Sequence, residues 1–220
     1  GLNASMVAHL RRKVEMLKRC RPLDRNDTVV DIGSNDGTTL GFYPPEGPRL
    51  VGFDPSAGKF RRYYRPDIHL VEDFFSAERF FQEYGSAAKA KIVTSIAMFY
   101  DLEDPVAFMR EIAAILAEDG IWHFEQSYMP DMLRLTAYDT VCHEHLEYYG
   151  LRQIKWMTDR TGLKILDVAF NDVNGGSFAV TVAKQAAPYP EAEALGQTVL
   201  GRESEAGRGE LSPHADSRQR

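Results

Sequence analysis

The sequence predicts an α/β fold: a doubly wound, seven-stranded and mostly parallel sheet with an antiparallel final hairpin. Five short runs rich in apolar and β-branched residues alternate with helical or glycine-rich segments between residues 29 and 124, as parallel strands joined by crossovers do. A glycine-bounded turn, Gly33 to Gly37, directly follows the first run. Near the end of the pattern, Asn174-Gly175-Gly176 separates two more strand-like runs, which is a hairpin signal.

The composition of the chain limits its class. Its 220 residues, 44% hydrophobic and 26% charged, suit one globular domain with an adequate core. A net charge of −6 gives no reason to expect a nucleic acid or an anionic membrane as partner. Two cysteines cannot build a disulfide framework, and no apolar run is long enough to span a bilayer. We therefore expect a cytoplasmic protein.

Residue patterns place each element. The predicted strands are Val29–Ile32, Leu50–Asp54, Ile68–Val71, Lys91–Ser95, Ile121–Phe124, Leu163–Val173 and Ser177–Lys184. The predicted helices are residues 1–22 with Ser5 as N-cap, Thr38–Tyr43, Ala77–Tyr84, Pro105–Leu116 and Leu151–Gly162. The first helix is expected to pack in front of the sheet, although a helix there can also close over a ligand. From Gln185 onward Ala, Glu, Gly, Arg and Ser dominate, so residues 185–220 are expected to form a flexible low-complexity tail.

The charge of the turn Gly33-Ser34-Asn35-Asp36-Gly37 suggests which ligand it holds. In a doubly wound sheet, a nucleoside-bearing ligand lies at this first strand-to-helix turn. A dinucleotide loop needs G-x-G-x-x-G so that bare backbone can approach a pyrophosphate, but here the middle glycine is missing and Asp36 lies where the anion would be. Asp31 adds a second carboxylate. Two carboxylates suit the ammonium and sulfonium groups of S-adenosylmethionine (SAM); a tight turn without ligand and a nicotinamide-dependent dehydrogenase are the alternatives.

Acidic residues after the next two strands extend the predicted cofactor site. Asp54, with Pro55 beside it, lies 21 residues after the first loop glycine, where a carboxylate can accept both hydroxyls of an adenosine ribose. After the third strand, Asp73 can accept from an adenine amino group while Phe74 or Phe75 packs on the ring. Equally, Asp73 can begin a helix and the two phenylalanines can belong to the core.

The fourth and fifth strands are expected to end at the same crevice, because the carboxyl ends of parallel strands meet at one edge of a sheet. This brings Ser95 and Ala97 to the cofactor side. The segment from Glu125 to Tyr128 is expected to face the same crevice.

The stretch from Tyr138 to Tyr149 holds two histidines, three acids, a thiol and three phenols, which is more titratable chemistry than packing requires. A zinc site made by Cys142, His143 and His145 is disfavoured, since adjacent residues rarely converge on one ion and no fourth ligand is evident. A purely structural role for the histidines is the second interpretation. The third, which the clustering favours, is acid–base chemistry by a neutral imidazole whose basicity Glu144 raises. We therefore predict no metal ion.

Six segments carry a resemblance to a known enzyme family. They are Val30-Asp31-Ile32-Gly33-Ser34-Asn35-Asp36-Gly37, Gly52-Phe53-Asp54-Pro55-Ser56, Met98-Phe99-Tyr100-Asp101-Leu102-Glu103-Asp104-Pro105, Glu125-Gln126-Ser127-Tyr128-Met129-Pro130, Cys142-His143-Glu144-His145 and Asn174-Gly175-Gly176-Ser177-Phe178. Together they resemble the SAM-dependent C-methyltransferases of deoxysugar biosynthesis, which have the Rossmann-like class I methyltransferase core. The similarity runs from about Ser5 to Ala183.

The resemblance implies methylation at C3 of a nucleotide-bound 4-keto-6-deoxysugar. By position, His145 would remove the C3 proton with help from Glu144, giving an enolate that attacks the SAM methyl group. Tyr100 and Tyr128 could donate hydrogen bonds to the enolate oxygen.

The resemblance also suggests how the chain is divided and what else it contacts. His143 and Tyr149 complete the expected substrate contacts. Residues 1–184 are expected to form the SAM-binding domain, with residues 125–162 as an active-site insert. The partner would be a small molecule, a nucleotide sugar. An O- or N-methyltransferase of another small molecule and a SAM-binding remnant without catalysis are the alternatives.

Overall fold

A seven-stranded sheet forms the centre of the computed structural model, which describes residues 2–137 and 141–211 and, among these, not the side chains of Asn174 and residues 206–211. The strands are β1 Thr28–Ile32, β2 Arg49–Phe53, β3 Ile68–Val71, β4 Ala90–Ile96, β5 Leu116–Ser127, β6 Leu163–Asn171 and β7 Ser177–Lys184. Their order across the sheet is β3-β2-β1-β4-β5-β7-β6.

The pairing of these strands confirms the predicted fold class. β1, β2, β3, β4 and β5 pair in parallel, whereas β7 pairs antiparallel with both β5 and β6. The turn between β6 and β7 uses Gly175 and Gly176 at φ of 78° and 118°, which side chains rarely adopt. The fold is therefore Rossmann-like, with an antiparallel hairpin at one end.

Helices cover both faces of the sheet. They are α1 Ala4–Cys20, α2 Ala77–Tyr84, α3 Pro105–Ile115, α4 Met129–Leu135, α5 Leu151–Thr161 and α6 Glu193–Leu211. Alternate strand residues enter opposite cores: Val30 and Trp122 pack on the side of α3 and α5, whereas Val29 and Ile121 pack with α1. Within the described ranges, no helix is long and apolar enough to cross a membrane.

Local elements differ from prediction where backbone packing overrides the pattern. The predicted helix Thr38–Tyr43 is only a 3₁₀ turn, Leu40–Phe42, because Pro44-Pro45 follows at once. The N-cap of α1 is Asn3, not Ser5, since the Asn3 side chain accepts from the Met6 amide at 2.9 Å. β5 begins at Leu116, five residues before the predicted start, and its Gly120 lies so close to β4 that a Cβ would be 2.7 Å from the Ala90 oxygen.

Residues 185–205 differ most clearly from the predicted flexible tail. α6 packs on the core through Val199, which is 3% exposed, with Leu195 and Leu200 beside it. The Glu203 carboxylate accepts hydrogen bonds from the first amides of α5, at 2.6 Å from Leu151 and 3.1 Å from Arg152. Three apolar residues on one face are enough to hold α6 against the core, because α5, which is remote in sequence, supplies hydrogen-bond partners for Glu203. Residues 212–220 of the predicted tail lie outside the described part of the chain.

Replacing Glu203 by Ala should lower the free energy of unfolding by about 1–2 kcal/mol, the cost of losing a helix N-cap. The reason is that two α5 amides and the Tyr128 hydroxyl lose their acceptor. Urea denaturation measures the change. Glu205→Ala, an exposed position two residues on in α6, is the matched control and should leave stability unchanged. Equal stability of the two variants would show that α6 does not cap α5.

Candidate functional site

A cavity of about 510 Å³ opens at the carboxyl ends of β1, β2, β4 and β5, a size typical of ligand sites. Seven of the residues predicted to bind a cofactor line it, and they are Asp31, Gly33, Ser34, Asn35, Asp36, Asp54 and Ala97. Tyr100 lines it as well. The topology thus brings the glycine turn and the ends of four strands to one place, as the sequence predicts.

The glycine turn itself is an unusually tight piece of backbone. Gly33, Asn35 and Gly37 all have positive φ, at 72°, 48° and 73°. At Gly37 a Cβ would be 2.9 Å from the Tyr64 ring, so this position needs glycine for space as well as for conformation. The Tyr64 hydroxyl donates to the Asn35 carbonyl at 2.9 Å and is 2.8 Å from the Ser34 Oγ. The conformation of the turn is therefore stabilised by Tyr64 as well as by its own glycines.

Asp54 joins the glycine turn to the loop after β2. One carboxylate oxygen accepts from the Asn35 amide at 2.8 Å, and the other accepts from the Ser56 amide at 2.7 Å and hydroxyl at 2.8 Å. A carboxylate has about four lone-pair positions. Asp54 therefore positions the turn first and keeps room for about one more donor, such as one ribose hydroxyl.

The two predicted cation-binding carboxylates differ in how free they are. Asp36 already accepts from the amide and hydroxyl of Thr38, at 3.1 and 2.6 Å. Asp31 is 3% exposed and accepts from the Thr94 hydroxyl at 2.5 Å. Burial raises the pKa of Asp31 to about 7, the Thr94 hydrogen bond acts in the opposite direction, and the nearby Asp54 charge raises it further. A desolvated carboxylate of this kind favours a cationic ligand.

Five predicted cofactor residues lie elsewhere than in the cavity lining. Gly37 and Pro55 are not among the lining residues, and the buried Ser95 hydroxyl accepts from the Trp122 indole at 2.9 Å. Asp73 is exposed and Phe74 is 76% exposed, beyond the lining residues.

Phe75 follows the alternative interpretation, a place in the core, because it packs on Phe53 with ring centroids 5.3 Å apart. An aromatic residue that the sequence analysis missed, Phe60, lines the cavity instead. It lies in the 3₁₀ segment Ala57–Tyr63 after β2.

The N-terminal helix forms one wall of the cavity, which answers the question that the sequence left open. Leu2, Met6 and Leu10 line it from this side. A buried carboxylate, Glu125, anchors the helix, because its two oxygens lie 2.6 Å from the His9 Nε2 and from the Lys13 Nζ. The Asn171 side chain donates to the same carboxylate at 3.0 Å. Only the end of β5, not this anchoring role, was predicted.

The His-Glu-His segment lies against the cavity rim. The His145 ring is 4.0 Å from the Tyr100 ring between centroids, and the Leu146 and Glu147 amides donate to the Tyr100 carbonyl at 3.0 and 3.1 Å. His143 and Glu144 are exposed, and neither they nor His145 line the cavity. Tyr138 and Asp139, the start of this titratable stretch, lie outside the described residues.

Charge couples this segment to the loop after β4. Burial raises the pKa of the Asp101 carboxyl, the neighbouring His145 lowers it and Glu144 raises it again. Burial also raises the pKa of Tyr100 to about 12, with the Asp101 and Cys142 charges adding to the effect. Tyr100 is therefore a protonated hydrogen-bond donor at neutral pH. In the described part of the chain, no three His, Cys, Asp or Glu side chains are grouped to hold a metal ion.

The other two predicted substrate tyrosines are buried away from the cavity lining. The Tyr128 hydroxyl donates to Glu203 at 2.8 Å, which ties α6 to the end of β5. Tyr149 is 5% exposed and packs on Phe99, with ring centroids 5.4 Å apart.

Comparison with known proteins decides the family. Residues 6–168 match the family described as "Methyltransferase domain". The chain belongs to this family. The C-methyltransferase NovU of Streptomyces niveus is 29% identical over 201 residues, which are 91% of this chain and 48% of that protein. A tRNA U34 carboxymethyltransferase of Campylobacter lari is 25% identical over 129 residues, 54% of this chain and 42% of that protein. The methyltransferase domain thus spans about half the length of these curated relatives.

Solved structures show the same fold. The magnesium protoporphyrin IX methyltransferase of Synechocystis PCC 6803, with S-adenosylhomocysteine (SAH) bound, has a TM-score of 0.61 at 11% identity, over 84% of this chain and 89% of that one. A putative methyltransferase of Haloferax volcanii in complex with its Trm112 activator has a TM-score of 0.58 at 15% identity, over 86% and 100%.

SAM is the cofactor of this methyltransferase domain. The residues present fit it, because a tight glycine turn, an acid after β2 and a buried acid at the end of β1 all face one cavity. Asp31 and Asp54 are the lining carboxylates that would be available to a cation and to a hydroxyl of the cofactor.

The affinity of the domain for SAM should rise with pH through the titration of Asp31. With a pKa of about 7, the ionised fraction of Asp31, and hence the association constant, should increase about tenfold between pH 6 and pH 8. Calorimetry across this range measures it. Asp31→Asn should bind SAM more weakly at pH 8 and lose most of the pH dependence. If Asp31→Asn kept the full pH dependence of SAM binding, that dependence would belong to another titratable group.

Proposed function

We propose that this domain transfers the methyl group of SAM to a carbon atom of a nucleotide-linked 4-keto-6-deoxysugar, at C3, through an enolate. Two findings support the proposal. The relative from Streptomyces niveus is named a C-methyltransferase and matches 91% of this chain. The motifs after β4 and β5, together with the His-Glu-His segment, are those by which the sequence resembles enzymes of deoxysugar biosynthesis.

The observation that carries the proposal is the contact between His145 and Tyr100. Transfer to carbon next to a ketone needs a base, since the carbon must first lose a proton. The imidazole contacts the ring of Tyr100, a phenol that lines the same cavity as the glycine turn. A base at this place supports attack on carbon, whereas transfer to an already nucleophilic oxygen or nitrogen does not require one.

The protein side of the reaction follows from these positions. His145 accepts the C3 proton, and the electron pair moves toward the C4 carbonyl oxygen. The Tyr100 hydroxyl donates to that oxygen as its negative charge grows. When bound, SAM would supply an electrophilic methyl group for C3, with SAH as the leaving group. His145 then releases its proton to water.

Two carboxylates are candidates for stabilising the imidazolium. Glu144 is adjacent in sequence and exposed, so water screens its charge. Asp101 is exposed as well, but it interacts electrostatically with His145, which lowers the Asp101 pKa against the effect of desolvation. We assign Glu144 the assisting role and expect Asp101 to add to the same field.

Solvent deuterium exchange tests the proposal. With a 4-keto-6-deoxysugar nucleotide in D₂O, the wild type should exchange the C3 hydrogen and, with SAM, methylate the sugar. His145→Asn should slow both by about 10²–10⁴-fold, the usual contribution of a general base, and leave the SAH dissociation constant within about twofold.

His69→Asn is the matched control, because this histidine lies on β3 outside the cavity lining and should leave both rates unchanged. Methyl transfer without carbon-bound exchange would indicate an O- or N-methyltransferase. SAH binding with neither reaction would indicate a domain without catalysis.

A further inference from the structure

One side chain in the cavity is buried without hydrogen-bond partners. Gln126, near the end of β5, is 2% exposed and lines the cavity. Neither its Nε2 nor its Oε1 has a partner among the residues that the structure describes. A buried primary amide is costly unless both its donors and its acceptor are used, so such a group inside a ligand cavity points to a ligand.

Two polar residues near Gln126 have their hydrogen-bond partners, and the other described side chains with a buried unpartnered polar atom lie outside the cavity lining. Glu125 is bound by His9, Lys13 and Asn171, and the buried Ser95 hydroxyl is bound by Trp122. Because side chains alternate along a strand, Gln126 lies on the opposite face of β5 from Glu125, on the side of Phe124 and the larger core. It is therefore not part of the cluster that anchors α1.

The place of Gln126 in the sheet puts it beyond the nucleoside end of the cofactor. β5 is three strands from β2, whose end carries Asp54. At a spacing of about 4.8 Å between strands, the two ends lie about 14 Å apart. Tyr100, which follows the intervening strand β4, lines the same cavity. Gln126 thus faces the region where a methyl acceptor would lie rather than the ribose.

We propose that Gln126 is the residue that selects the substrate, by binding an α-hydroxyketone through both ends of its amide. The inference rests on the proposed function. The Nε2 donates to the ketone oxygen, and the Oε1 accepts from the hydroxyl on the adjacent carbon. The amide thereby matches a 4-ketosugar with a free C3 hydroxyl and disfavours the 3-deoxy analogue, which would leave the Oε1 unpaired.

Gln126→Met tests this role, since methionine keeps the length of the side chain and removes both polar ends. The wild type should prefer the 3-hydroxy-4-ketosugar nucleotide over its 3-deoxy analogue by at least about tenfold in kcat/KM. Gln126→Met should reduce that preference to about one, mainly by lowering kcat/KM for the hydroxylated substrate. Its SAH dissociation constant should stay within about twofold, and its melting temperature should not fall.

Gln82→Met, the same exchange at an exposed position of α2, is the control and should keep the wild-type preference. If Gln126→Met keeps the wild-type preference, the proposed role of Gln126 is wrong while the proposed function stands. The same holds if the wild type does not discriminate between the two ketones, a result that does not depend on whether the variant folds. A tenfold loss of SAH affinity would also overturn it, by assigning the amide to the cofactor. A wild type that neither exchanges nor methylates either ketone contradicts the proposed function, and this inference with it.

Discussion

The Asp54 carboxylate is the contact on which the rest of the site depends. It accepts from the Asn35 amide on one loop and from two groups of Ser56 on the next, so it joins the ends of β1 and β2. The glycine turn needs this support because Asn35 has a left-handed backbone that a side chain adopts only at a cost. A fixed glycine turn also holds Asp31 and Asp36 in place at the cavity. The acid that sequence spacing assigns to a ribose is therefore first a structural group.

Local signals explain which parts of the fold the sequence predicts. The bounds of α2 match the prediction because Ser76 caps the helix through the Arg79 amide and Gly85 ends it. β7 matches as well, because glycines fix the turn before it. In contrast, α6 depends on Glu203 reaching α5, 52 residues away in sequence, and no local pattern records such a contact.

In the candidate site, too, local patterns predict some positions, whereas contacts between distant residues decide others. Residues in the glycine turn and at the ends of strands could be placed near one another from topology alone, and seven of the residues predicted to bind the cofactor line the cavity. Asp73 and Phe74 could not, because the direction of a loop after a strand depends on packing that the sequence does not state. The hydrogen bond between His9 and Glu125 joins residues 116 apart, and the unpaired amide of Gln126 is visible only once all its neighbours are placed.

The cavity is built from two parts that are held in different ways. Short hydrogen bonds within and between neighbouring loops fix the cofactor side, and Glu125 with its buried partners fixes the wall made by α1. The segment that carries His145 contacts Tyr100 through backbone hydrogen bonds from Leu146 and Glu147 and through the His145 ring, and most of its described side chains are exposed. The fixed cofactor side would hold the methyl donor in position, while the contacts with Tyr100 help to place the His145 ring. Tyr100 lines the cavity, and its ring contacts the His145 imidazole, so in the proposed reaction it is the residue through which the two parts of the site would act together.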